Sequence, residues 1–332
     1  MPQILSDSIS STDFDDLEAR RLEIQRFLKA NVASEVRNGR ILNGRFLYYN
    51  GWKSMNLQSA FKSSIFAVMA QIFFGEMATE PEFAAALSRY PRDLGLSAST
   101  KQYAPRVIAP IIEFIMTRNE SAKQTLARRL TLVIDQSKTT KVHGVLQSLI
   151  TSARSKADVS CPSMALAETI LNLWLIASHQ SLLVLVYTVF RACTRILDGE
   201  KMRREIGDQD QRTCDSLNSL PLLHKFMMQA IEDNSFIKGS ISADLLPESQ
   251  GESKSVMSSS LTDTDFKAAA KTSRPLVFLA AKITVSHFLT NFNARIAEET
   301  SLHLKDSVGK SLQASEIRIL VRDRHYIEEN YL

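Results

Sequence analysis

A mainly α fold follows from three features of this sequence: Gly and Pro are scarce (11 and 9 of 332 residues), alternating strand patterns are short, and apolar residues recur at helical spacing. With 44% hydrophobic residues the chain can bury a large core, and the length allows one large domain or two of ordinary size. We read 1–332 as a single helical domain.

The elements follow in order. Ser11 and Thr12 are good N-cap types, and Asp13, Asp15 and Asp16 favour the positive end of a first helix that includes Leu17, Phe27 and Leu28. Further helices are predicted over Leu57 to Gly75, Glu82 to Arg89, Ala104 to Met116, Glu120 to Val133 and Val142 to Ala153, with "YPRD" and "CPS" punctuating the gaps. The longest helix is predicted from about Ser163 to about Arg195, and another from Leu220 to Ile231. Ser235 to Ser260 is Ser-rich with little apolar periodicity, which predicts a solvated loop within 235–272, and proteolysis there before elsewhere. Pro275 to Ile296 then reads as a helix, and "EIRILVRDR" alternates like a strand.

Composition excludes several classes. The formal charge of +4 is spread through the chain without a basic stripe, so no nucleic-acid partner is expected. Cys161, Cys193 and Cys214 lie far apart and leave an odd one over, which suits a reducing compartment, with the cytoplasm as the default. The polar, acidic N-terminus has no export signal. Leu171 to Phe190 is long enough to span a membrane, yet it carries Ser178, His179, Gln180 and Ser181 at mid-depth, so a buried central helix is the better reading. The histidines show no ligand-like spacing, and no metal site is expected. "DDLEA" lacks the later aspartate of a terpene cyclase's acidic cluster, and no Gly-x-Ser-x-Gly nucleophile elbow occurs.

The order of motifs is more telling than any one of them. "YYNGWKSMNLQSAFKSSIFAVMAQIFFGE", "VLQSLITSARS", the long helix, "MRREI", "LPLLHKFMMQAIE" and "VFLAAKITVSHFLTNF" together resemble the middle and late parts of fungal cytochrome P-450 monooxygenases. The resemblance implies a degenerate cytochrome P-450-like helical fold with a long central helix and little β. It also implies that Ala177-Ser178-His179-Gln180-Ser181 occupies the segment that lies over the haem in that family. Where the family has a Glu-x-x-Arg ion pair, this chain has Gln229 and Glu232. The family's thiolate comes from a loop just before the last long helix, but every cysteine here precedes Gln229, and that loop reads "DTDFKAAAKTSRP". About a third of a usual member, including its membrane anchor, is absent from the front. No haem and no other cofactor is therefore expected.

On a helix, Trp174, Ala177, Ser178 and Ser181 fall within one arc, flanked by Leu173, Gln180 and Leu185. The resemblance makes that arc face the haem and substrate. Without haem it would face an apolar cavity with Ser, Gln and indole donors, as ligand sites often do. The alternative is that the cavity has collapsed and these groups bond to backbone carbonyls or water. Ser178, Gln180, Ser181 and His179 are the catalytic candidates, and Asn172, Leu173, Trp174, Ala177 and Leu185 the substrate-binding ones. Two functions remain open. One is a cofactor-independent cyclase, such as an intramolecular Diels–Alder pericyclase, acting on a terpenoid-type intermediate in secondary metabolism. The other is a non-catalytic activator or scaffold partner of another biosynthetic enzyme.

Overall fold

A computed structural model describes residues 52–103, 122–137, 144–155, 162–208, 220–232, 274–297 and 317–323, together with Thr300 and Ser315. The expected first helix, the helix over Ala104 to Met116 and the Ser-rich segment lie outside the described residues. In chain order the elements are β1 (Lys53–Asn56), α1 (Leu57–Phe74), a 3-10 turn (Gly75–Thr79), α2 (Pro81–Tyr103), α3 (Ala122–Gln136) and α4 (Gly144–Ser155). They continue as α5 (Ser163–Thr194), α6 (Ile196–Asp208), α7 (Pro221–Glu232), α8 (Arg274–Asn291), β2 (Phe292–Ile296) and β3 (Arg318–Asp323). The fold is mainly α with a small sheet.

The chain divides into two compact units, with the boundary inside α1 after Val68 and inside α5 after Ala177. In the unit built on 69–177, α2 packs on α3. Pro81 opens α2, where its missing N–H costs nothing, and Glu82 favours the positive helix end. The helix was expected to stop at Arg89, before the "YPRD" segment. Instead Pro91 lies inside it. Proline removes one backbone bond there, but buried Tyr90 and Asp93 tie the far side of the break into the unit. Asp93 Oδ2 accepts from the Ala122 N–H at 3.4 Å, so α2 supplies a carboxylate to the start of α3. Ser163 Oγ donates to Asp135 Oδ1 at 2.6 Å, joining the end of α3 to the start of α5.

In the other unit, Asn56 ends β1 and starts α1: its Oδ1 accepts from the Ser59 N–H at 2.9 Å, an N-cap bond. The three-stranded antiparallel sheet runs β1-β3-β2, with Ser54 opposite Leu320 and Ala294 opposite Val321. β2 lies within the stretch Pro275 to Ile296 that was expected to be all helix. Its last five residues leave α8 to pair with β3, because Phe292 to Ile296 match the free edge of that strand residue for residue.

Within this unit α6 holds two other helices by their ends. Glu205 accepts from the Leu222 and Leu223 N–H groups at 2.8 and 2.9 Å, placing a negative charge at the N-terminus of α7. Two residues earlier, Arg203 donates to the carbonyls of Leu289 and Phe292 at 3.0 and 3.1 Å, a positive charge at the C-terminus of α8, and pairs with Glu200. Glu205 also faces buried Lys282, whose ammonium pKa burial lowers and Glu205 raises. Arg203→Ala is expected to cost about 2 to 4 kcal/mol by stranding half-buried carbonyls, and Glu205→Ala about 1 to 2 kcal/mol through the lost cap. Urea unfolding checks both; equal and negligible losses would show that α6 merely rests on its neighbours.

Two described helices, over Leu57–Thr79 and Ser163–Thr194, are long and apolar enough to cross a membrane by length and composition. The apolar window of the second is 89% buried inside the fold, which gives α5 the environment of a core helix.

Candidate functional site

α5 has no charged residue between Glu168 and Arg191, so nothing on this stretch opposes burial except Ser, Thr, Asn, Gln and His. Seven residues make two turns, which places Trp174 with Ser181, Ser178 with Leu185, Leu173 with Gln180 and Asn172 with His179 on successive lines along the helix. Ala177, Ser178, Ser181 and Leu185 are fully buried, Trp174, Leu173 and Gln180 nearly so, while Asn172 and His179 share the part-exposed side.

The N-terminal part of this helix carries an aromatic cluster. Trp174 packs against Phe74 and Tyr90 with ring centroids 6.0 and 6.4 Å apart, and Phe83 meets Phe74 edge-on at 5.3 Å. Tyr90 donates its hydroxyl to Asn172 Oδ1 at 3.1 Å. Tyr90 itself was not among the sequence candidates, since its link to Asn172 spans 82 positions and leaves no local pattern. Burial, helped by the carboxylate of Glu168, raises its phenol from the ordinary 10 to about 12.

On the following turns, Ser181 Oγ donates to the backbone carbonyl of Val277 at 3.4 Å. That bond brings the middle of α5 directly onto the first turns of α8. The hydroxyl is thereby engaged with backbone rather than directed into an opening. Thr188 returns its hydroxyl to the Val184 carbonyl at 2.6 Å, the usual satisfaction of a threonine inside a buried helix.

Arg191, near the C-terminus of α5, donates to Gln229 Oε1 at 3.2 Å and lies over the Phe226 ring, 5.2 Å from its centroid. Burial lowers its pKa first and Arg195 second, with Asp198 opposing. Gln229, at the position where the resembled family keeps an ionised partner, is thus a neutral acceptor for an arginine from another helix.

Cys193, the penultimate residue of α5, is buried, and burial pushes its thiol from the ordinary 9 up to about 12. It borders a crevice of about 20 Å³, room for roughly one water, lined also by Val189, Ala192, Gly199, Arg203 and Phe288. Gly199 is needed here, since a Cβ would lie 3.2 Å from the Ala192 carbonyl oxygen. Cys161 and Cys214 fall outside the described residues. Among the described residues no three His, Cys, Asp or Glu come together as a metal would require.

The two raised acids give a pH prediction. Above about pH 9 the unfolded thiol ionises, and above about pH 10 the unfolded phenol, while both stay neutral in the fold until about pH 12. Their stabilisation is complete below these unfolded values and falls as pH rises towards 12. Melting temperatures across this range should decline less steeply in Tyr90→Phe than in wild type; parallel curves would remove Tyr90 from the account.

The fold, mainly α with a long buried helix and a small sheet, is similar to that of a cytochrome P-450. A solved structure described as a retinoic acid bound cyanobacterial CYP120A1 superposes with a TM-score of 0.60, covering 97% of this chain and 78% of that one at 12% sequence identity. No family model matches the chain, and no curated protein matches it.

Proposed function

We propose that this chain is a haem-free protein of cytochrome P-450 fold that works as a cofactor-independent cyclase, closing a ring in an apolar, terpenoid-type intermediate of fungal secondary metabolism. The observation that carries the haem-free part is the contact between Ser181 Oγ and the Val277 carbonyl. A flat macrocycle lying between those two elements needs about 7 Å between the atoms that face it, twice a van der Waals contact. The 3.4 Å bond supports the haem-free reading at that point of the two helices. Cys193, the one cysteine among the described residues, is buried near the end of α5 and does not lie in a loop before α8. These residues do not fit the group, and no step is routed through it.

A reaction that needs shape more than acid–base groups suits what remains. The uncharged stretch from Thr169 to Phe190 supplies aliphatic walls with Ser178, Gln180 and Trp174 as neutral donors, Ser181 being engaged by the Val277 carbonyl. A pericyclic closure such as an intramolecular Diels–Alder reaction is accelerated by holding diene and dienophile in a near-attack shape, and a donor to the dienophile carbonyl adds polarisation. His179, on the part-exposed side, is a weaker candidate for that donor. Retinoic acid, named with the cyanobacterial structure, is an apolar polyene of the general kind that such a site would accept. The cytoplasm is the proposed location.

One observation favours a second reading, a non-catalytic partner of another biosynthetic enzyme. Ile196 and Leu197 at the start of α6 are 63% and 79% exposed, an apolar pair that a partner could cover. The discriminating assay incubates the protein, dialysed against chelator and free of NADPH, with linear pathway intermediates and follows cyclised product and its stereochemistry. Product above background in one stereochemical series supports the cyclase. Rates and product ratios equal to background for every intermediate sink it in favour of the partner.

A further inference from the structure

One corner of the sheet gathers charge that the proposed cyclase does not use. In the β2–β3 register Asn293 faces Arg322 and Arg295 faces Leu320, so Arg295 and Arg322 project to the same side of the sheet. Trp52 immediately precedes β1, whose Lys53 pairs with Val321, and so lies beside Arg322. The guanidinium carbons of Arg295 and Arg322 stand 4.6 and 4.9 Å from the centroid of the Trp52 ring. Two positive charges on one indole are therefore no more than about 10 Å apart and repel each other. The ring's quadrupole offsets part of that repulsion.

Neither guanidinium has an ion-pair partner among the described residues. Arg322 Nε is buried without an acceptor, which fixes the orientation of that side chain by packing rather than by bonding. Arg295 is exposed, and Trp52 and Arg322 are half-buried, so the corner is reachable from solvent. Among the described residues other exposed charges do pair, as Arg129 with Glu80 at 2.6 Å and Lys123 with Glu168 at 3.1 Å.

The geometry points to a site for a phosphate-class oxyanion, held by the guanidiniums of Arg295 and Arg322, both of which lie against the Trp52 ring. Guanidinium forks match the oxygen spacing of phosphate and bind it through charge-assisted hydrogen bonds. The source of the phosphate is either a small molecule in solution or a lipid headgroup, and the chemistry at the site is the same for both.

The test uses the intact chain. Calorimetric titration at fixed ionic strength with inorganic phosphate and with pyrophosphate reads the first source. Flotation with phosphatidylcholine vesicles, with and without phosphatidic acid, reads the second. Binding is expected in at least one arm, weakened roughly tenfold to a hundredfold by Arg295→Gln and by Arg322→Gln and unchanged by Arg129→Gln. Arg295 is exposed, so its variant is expected to keep the wild-type melting temperature and report on binding alone. Solution binding assigns the site to a soluble phosphate, and vesicle binding without it assigns the site to a headgroup. No saturable binding in either arm, or the same affinity in Arg295→Gln as in wild type, overturns the proposal.

Discussion

Expressed with excess haem precursor and purified, the chain is expected to show no Soret band, and its reduced form no shift with carbon monoxide. The expectation rests on two features of the proposed haem-free reading. The first is space: α5 and α8 meet through the Ser181–Val277 bond where the fold would have to part by several ångströms. Parting them there would break that bond and expose buried Ser181 and Val277. The second is the ligand: every cysteine precedes Gln229, and the one described, Cys193, is buried near the end of α5 and not in a loop before α8. A stoichiometric Soret band would show that the two helices separate readily and would remove the basis for a haem-free reading.

Ser178→Phe is expected to abolish cyclisation, and Ala177→Phe likewise, if α5 confines the substrate. Both positions are fully buried, so a ring introduced there displaces whatever lies against the helix. The same crowding costs stability, typically about 1 to 3 kcal/mol, so turnover is read per folded protein, with melting curves alongside. Ser181→Ala removes only the hydroxyl that bonds the Val277 carbonyl, and its expected effect is a stability loss of about 1 kcal/mol with turnover per folded protein unchanged. Should crowding prevent folding, Ser178→Val tests the same donor at closer to the native volume. A folded Ser178→Phe protein with undiminished turnover would move the reaction away from α5.

Much of the fold was legible because its helices are long and apolar. α5 runs from Ser163 to Thr194, within a residue of the expected bounds, and α7 and the start of α8 also lie close to theirs. β3 was visible as an alternating run. What local pattern could not supply is pairing. β1 has four residues, and its partner β3 lies more than 260 positions later, so nothing near Lys53 announces a strand. Pro91 inside α2 was hidden for a related reason, since packing of Tyr90 and Asp93, not propensity, carries the helix past it.

The candidate site divides the same way. The arc on α5 could be drawn from spacing alone, and Trp174, Ala177, Ser178, Ser181 and Leu185 are indeed buried. That Ser181 would touch the Val277 carbonyl, 96 residues on, is tertiary information with no sequence signature. Tyr90 and its bond to Asn172 were missed on the same ground.

The two-ended grip of α6 also bears on how much covalent continuity this architecture needs. Arg203 fastens the end of α8 and Glu205 the beginning of α7, so the peptide that connects α7 to α8 is not what keeps those helices together. β1 from early in the chain is likewise zipped to β3 from its end, and Phe61 of α1 meets Phe288 of α8 edge-on at 5.3 Å. A chain severed between α7 and α8 would leave a larger piece that carries the socket and a smaller one that carries the plug. Such halves, encoded as separate genes, are expected to reassemble by complementation, and co-purification of the two pieces checks it.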